Sequence, residues 1–275
     1  MAIPEENYSP DNNFKLVITN HPTKPGCWDH SIGSVFKKHQ EDWEIVCEIH
    51  RNYSDFWYHW MTHKNGKRYL WCGEDYQGYT LIDLSLGSKR SYSPAEALMG
   101  FGFCWTDVIP NHDGTILAVD GCYWGAPWQI KFYDFSDPDQ WPLIELGDLC
   151  YEGIHGWEDN QFVVSDYRSF RKSDGADIDL LFEDDKITDD EYDILMNDKN
   201  LFENRLVDRH LWTQPSWRDL YLHSARQAKL NLVYAEKYKE KYTNFDRRDL
   251  LIRLQHLWNK LEDRTGLESP EEIIT

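Results

Sequence analysis

The sequence is poor in the features that announce a reaction. It has no G-x-S-x-G elbow, no H-E-x-x-H pair, no P-loop and no G-x-G-x-x-G on a strand-to-helix turn. Those motifs hold a nucleophile, a metal or a phosphate in a fixed backbone frame, so their absence removes the commonest hydrolase and nucleotide-binding readings. The six cysteines (Cys27, Cys47, Cys72, Cys104, Cys122, Cys150) are scattered without a C-x-x-C pair. That spacing excludes a dense disulfide scaffold and the usual zinc signature, and it predicts free, mostly buried thiols. Apolar runs such as Ile116-Leu117-Ala118-Val119 are only a handful of residues long, far short of a membrane span. The opening Met1-Ala2-Ile3-Pro4-Glu5-Glu6 lacks a basic then apolar leader, and the expectation is a cytoplasmic protein.

Positive charge is also scarce. There are 29 basic against 48 acidic side chains, a net charge of -19, which argues against nucleic acid as a partner because phosphates need a basic face. The charge is uneven: residues 173–204 carry 12 acids and two bases, whereas residues 205–264 carry 13 bases and eight acids. A solvated acidic face paired to those helices and a docking surface for a basic protein both fit this belt.

Aromatic residues are abundant at 15%, with 13 Trp among 275 residues, enough to exclude a disordered chain. They also mark an internal repeat. Trp57 and Trp105, Gly66 and Gly114, and Gly73 and Gly121 are each 48 residues apart, and Asp83 and Asp134 are 51 apart. Each unit reads as a strand near the Trp, a turn at Asn65-Gly66 or Asp113-Gly114, a second strand, a Gly-containing break and a third strand. Asn-Gly and Asp-Gly supply the positive φ angles of tight hairpins, and the flanking segments are β-branched and aromatic. Partial copies flank the two clear units, one before Arg51 and one from Glu158.

Over about residues 14–170 this pattern resembles a WD40-like β-propeller. The likeness rests on Gly66-Lys67 and Gly114-Thr115 after the turns, and on Ile82-Asp83-Leu84 and Tyr133-Asp134-Phe135 as closing strands. It implies blade-like sheets of several strands in each unit of 40–50 residues or so. The chain departs from the pattern in having no Gly-His opening dipeptide, and its Trp28-Asp29 does not end a strand-like run. A ring, an open stack of sheets capped by helices, and a ring completed by a second chain all remain open.

The expected fold is therefore mainly β with a helical C-terminal region: repeated antiparallel sheets, propeller-like or open, capped by α-helices. The expected division is a β-repeat region at 1–172, then an acidic linker and helical region at 173–275. In the latter, Thr188 and Glu191 form a capping-box signature. Pro215-Ser216-Trp217 opens a helix reaching about Tyr242, Asn244 caps the next, and Leu250, Leu251, Leu254, Leu257, Trp258 and Leu261 make an apolar stripe on it. The acidic belt does not match a calcium loop, because neither Asp179 nor Asp184 supplies the required sixth-position glycine.

Candidate chemistry gathers in Gly121-Cys122-Tyr123-Trp124-Gly125-Ala126-Pro127-Trp128, where glycines and a proline hold large rings in a loop. The candidate binding residues are Tyr123, Trp124 and Trp128 with the neighbouring acids Asp107, Asp120 and Asp134; rings filling the space between sheets are the competing explanation. His59 and His63 lie four apart but lack a third ligand, so no metal and no cofactor are expected, and no catalytic residue is assigned. The leading expectation is a non-enzymatic interaction or scaffold protein whose partner is another protein, with no membrane contact. An acidic inhibitor masking a basic enzyme, and a carbohydrate-binding protein or hydrolase using the aromatic loop with its carboxylates, are the alternatives.

Overall fold

Antiparallel strands make up the chain as far as Arg171 in the computed structural model, which describes residues 4–94, 97, 100, 102–123, 128–238 and 247–275. The first sheet is formed by β1 (Glu5–Tyr8), β2 (Phe14–His21), β3 (His30–His39) and β4 (Asp42–Arg51). The second contains β5 (Tyr58–Thr62), β6 (Arg68–Cys72), β7 (Tyr79–Asp83) and β8 (Ser88–Tyr92). The third contains β9 (Cys104–Pro110), β10 (Ile116–Cys122), β11 (Trp128–Asp134) and β12 (Ile144–Cys150). All three are antiparallel meanders in sequence order. Gly66 and Gly114, which end the β5–β6 and β9–β10 turns, have φ of 79° and 72°, the left-handed values that only glycine adopts without strain.

Alternation divides each middle sheet between two cores. In β6, Leu70 and Cys72 join Phe14, Leu16, Val35 and Ile49 of the first sheet, whereas Tyr69 and Trp71 face the third. In β10 and β11, Leu117, Val119 and Tyr133 face the second sheet, and Ala118, Ile130 and Phe132 face the opposite way. The repeat partners Trp57 and Trp105 meet in the core between the second and third sheets, with ring centroids 6.1 Å apart and planes at 27°.

The fourth sheet pairs β13 (Gly153–Glu158) and β14 (Gln161–Arg171) with β15 (Phe202–Trp212), which comes from beyond residue 172. Between β14 and β15 lie α1 (Ile178–Glu183) and α2 (Asp189–Asn197). The Thr188–Glu191 capping box forms as its sequence predicts. Then follow α3 (Trp217–Lys237), α4 (Arg247–Asn259) and α5 (Pro270–Ile274); the expected cap at Asn244 and the helix end near Tyr242 lie outside the described residues. A mainly β region followed by a helical one is the observed class.

The propeller resemblance is corrected. The four sheets are separate, with three or four strands each, and none is closed or curled into a propeller. The physical reason lies in the core beyond the third sheet. There Ile130, Phe132, Phe162 and Trp212 are covered by Tyr221, Leu254, Leu257 and Ile273 of α3, α4 and α5. Helices cover the apolar face, and Trp212 of β15 stacks flat on Phe132 at 3.7 Å and 5°.

Candidate functional site

A cavity of about 410 Å³ opens between the second and third sheets. Its floor follows from strand geometry. Side chains two apart on a strand share a face, so Lys131 and Tyr133 of β11 both point toward the second sheet. Glu145 of β12 sits opposite Tyr133 in register. From the second sheet come Tyr79 and Tyr92, which are themselves a cross-strand pair. Phe103 and Tyr123, just outside the paired ends of β9 and β10, pack edge to face at 5.2 Å. Gly121 permits this approach, because a Cβ there would run into the Cys104 carbonyl oxygen and the Phe103 ring.

Lys131 is the chemical centre of the cleft. It is only 7% exposed, and its Nζ lies 5.3 Å from the centroids of both Phe103 and Tyr123. Glu145 Oε2 accepts a hydrogen bond from it at 2.9 Å. Burial works to lower its pKa, but the Glu145 charge and hydrogen bond and the Tyr123 hydroxyl outweigh burial and hold it above the usual lysine value. Burial pushes the Tyr79 and Tyr133 phenols well up, so both remain proton donors. The Tyr79 oxygen accepts from the Leu143 amide at 2.9 Å. Arg253 reaches the cleft from α4, with Nε donating to Ser224 Oγ at 3.3 Å and Nη2 donating to the Glu145 carbonyl at 3.0 Å.

The residues singled out in the sequence do not assemble in one place. Tyr123 lines the cleft. Asp107 and Asp120 are directly opposed on β9 and β10, on the other face of the third sheet, and Trp128 shares that face at 45% exposure. Asp120 is pushed up by burial, with the Tyr151 hydroxyl that donates to it working in the other direction. Asp107 lies 4.0 Å from His59 Nδ1. Asp134 is buried at the far end of β11, against α4. Trp124 is outside the described residues. His63 is buried against Phe135, and among the described residues no group of three or more His, Cys, Asp or Glu side chains is arranged to hold a metal.

Lys131, Glu145, Tyr79, Tyr92, Tyr133 and Arg253 were not anticipated as site residues. One signal was present: in Ile130-Lys131-Phe132-Tyr133 a lysine interrupts an apolar strand, and a lysine within a buried strand needs partners.

Over 184 residues the chain is 38% identical to the uncharacterized protein R762 of Acanthamoeba polyphaga mimivirus, spanning 63% of this chain and 71% of that protein. The chain belongs to the family of that mimivirus protein. No family model matches it. Among solved structures, it is similar to a putative 6-phosphogluconolactonase from Bacteroides uniformis, at 13% identity and a TM-score of 0.37 over 76% of this chain and 58% of that one. It is also similar to TolB from Acinetobacter baumannii, at 12% identity and a TM-score of 0.31 over 58% and 39% of the two chains. The chain thus spans less than two thirds of either structure, and likenesses this slight carry no argument about activity. Among the described residues, no helix is long and apolar enough to cross a membrane.

Proposed function

We propose that this member of the mimivirus protein's family is a non-enzymatic recognition protein, and that the cleft between its second and third sheets takes up a small polar group, free or carried by a partner. One observation carries the reading. Polar tips from several elements (Lys131, Tyr133, Glu145 and Arg253) converge on a cavity walled by aromatic rings, on a frame of two packed sheets. A few convergent polar groups in an aromatic-lined hollow of this size are the usual make-up of a ligand site. Glu145, the one carboxylate among its lining residues, is engaged with the Lys131 ammonium and so poorly placed to act as a general base.

Thermal unfolding in the presence of panels of sugars, carboxylates, amines and peptides tests it, because a ligand of the native state raises Tm. At least one class raises Tm in the wild type and fails to do so in Tyr123→Ala. No stabilising class, or turnover of any panel member, defeats the proposal.

A second reading, an acidic surface that docks a basic protein, is favoured by a hollow of about 350 Å³ beside β14 and α1. Glu152, Asp166, Asp179, Glu183 and Asp208 surround a single Arg168 there. The Tyr167 and Ser169 amides donate to Glu152 and Asp179, so two of these carboxylates are held in place. Binding to a basic protein that weakens steeply with salt and is lost on neutralising Asp166 and Asp208 supports it; salt-independent binding counts against it.

A further inference from the structure

We infer that the cleft is built for a single oxygen-rich ring bearing a carboxylate, the chemistry of a hexuronic acid. This rests on the reading of the cleft as a recognition site and goes further by naming the ligand class.

The inventory of polar atoms carries the inference. The Tyr133 hydroxyl belongs to a residue only 7% exposed and has no hydrogen-bond partner among the described residues, yet it belongs to the cavity wall. That oxygen meets only the open space of the cavity, which leaves it free to bond a ligand atom. The Tyr79 oxygen accepts from the Leu143 amide and keeps its own hydrogen to donate. Arg253 uses Nε and Nη2 within the protein, leaving Nη1 without a partner among the described residues. Lys131 has hydrogens beyond the one that Glu145 accepts. Four groups with hydrogens to give therefore meet a single carboxylate among the lining residues, Glu145, and two cations meet one anion. A ligand that completes this set supplies several acceptor oxygens and one negative charge.

Shape narrows the class. The half-buried Tyr92 and the 39% exposed Tyr123 offer apolar ring surface at the cleft. A cavity of about 410 Å³ suits one ring-sized molecule better than a chain. A ring with hydroxyls on its edge, a C–H face for the aromatic wall and one carboxylate for Arg253 and Lys131 meets every group. Glu145 then accepts from a ligand hydroxyl, which an aromatic acid such as benzoate does not provide.

Calorimetric titration of the full chain with glucuronate, glucose and benzoate tests this. Glucuronate is expected to bind saturably at one site, at least tenfold more tightly than glucose or benzoate. Tyr133→Phe, which removes one hydroxyl and little volume, weakens glucuronate binding about tenfold, in line with one lost hydrogen bond. Trp128→Ala, on the opposite face of the sheet, leaves it unchanged. Equal binding of glucose, or tighter binding of benzoate, overturns the ligand class while leaving the recognition reading in place. Absence of glucuronate binding overturns the inference, and the thermal panel then decides separately whether the cleft binds anything. Glucuronate binding that Tyr133→Phe leaves intact also overturns it, because the unpaired hydroxyl is its foundation.

Discussion

His256 of α4 and Asp134 of β11 are 122 residues apart in sequence, yet His256 Nε2 lies 3.0 Å from Asp134 Oδ2 with both side chains under 10% exposed. Lys260, one helical turn on, brings Nζ to 3.2 Å from the same oxygen. The carboxylate can only accept, so Nε2 carries the proton. This cluster joins the helical region to the third sheet.

Removing the carboxylate leaves a buried imidazole and a half-buried ammonium facing empty space. Asp134→Ala is therefore expected to cost about 3–5 kcal/mol, the usual penalty for breaking a buried pair from one side. Urea unfolding followed by tryptophan fluorescence measures it. A loss below about 1 kcal/mol contradicts the view that the cluster ties α4 to the sheet.

The same carboxyl sets an acid dependence. Burial works to raise the Asp134 pKa, but hydrogen bonds from His256 and Ser136 and the charge of Lys260 outweigh it and hold the group well below the usual carboxylate range. A group depressed by folding stabilises the native state fully above its unfolded pKa of about 4, and that share is lost as pH falls through the folded value. Unfolding free energies measured at descending pH should fall less steeply in Asp134→Asn than in the wild type. Parallel curves rule the effect out.

Trp212 closes the core from β15. Its ring stacks on Phe132 and meets Trp157 edge-on at 6.1 Å. Trp212→Ala is expected to destabilise by about 3–5 kcal/mol through cavity formation, with Phe132 losing its flat neighbour. A drop in Tm together with a changed near-ultraviolet dichroism spectrum is the readout. A surface-like cost of about 0.5 kcal/mol contradicts the packing described.

Thiol chemistry tests burial independently. Cys27 and Cys150 are exposed and should react with a thiol reagent in the native protein. Burial pushes the Cys47 thiol up to about 11, and Cys72 is fully buried, so both should resist at neutral pH. Timed alkylation with peptide mass spectrometry gives the order. Early modification of Cys72 means that the core between the first and second sheets opens.

Much of the local structure was legible because it is written in short-range rules. Asn65-Gly66 and Asp113-Gly114 mark hairpins through their tolerance of positive φ, and runs of β-branched and aromatic residues at strand length mark β6, β7, β10 and β11. Thr188 and Glu191 mark a helix start through reciprocal hydrogen bonds that four consecutive residues make by themselves. β15 was not legible. Its Glu203, Arg205, Asp208 and Arg209 give an edge strand with mostly exposed side chains and no apolar face to detect.

The cleft belongs to the second category. Tyr79, Lys131, Glu145 and Arg253 lie on β7, β11, β12 and α4, and nothing in the spacing of one reveals the others. Tyr123 drew attention as part of a ring-rich loop. Its use depends on Lys131 sitting beneath it, and that depends on which face of β11 the second sheet covers. The sequence by itself determined strands, turns, caps and the mainly β then helical order, because backbone preference and alternation act over a few residues. Only the tertiary structure decided that the sheets stay separate, that helices cover the last apolar face, and that polar groups from four elements meet in one cavity. Burying two-faced sheets is a collective choice among distant surfaces, so no local stretch of chain encodes it.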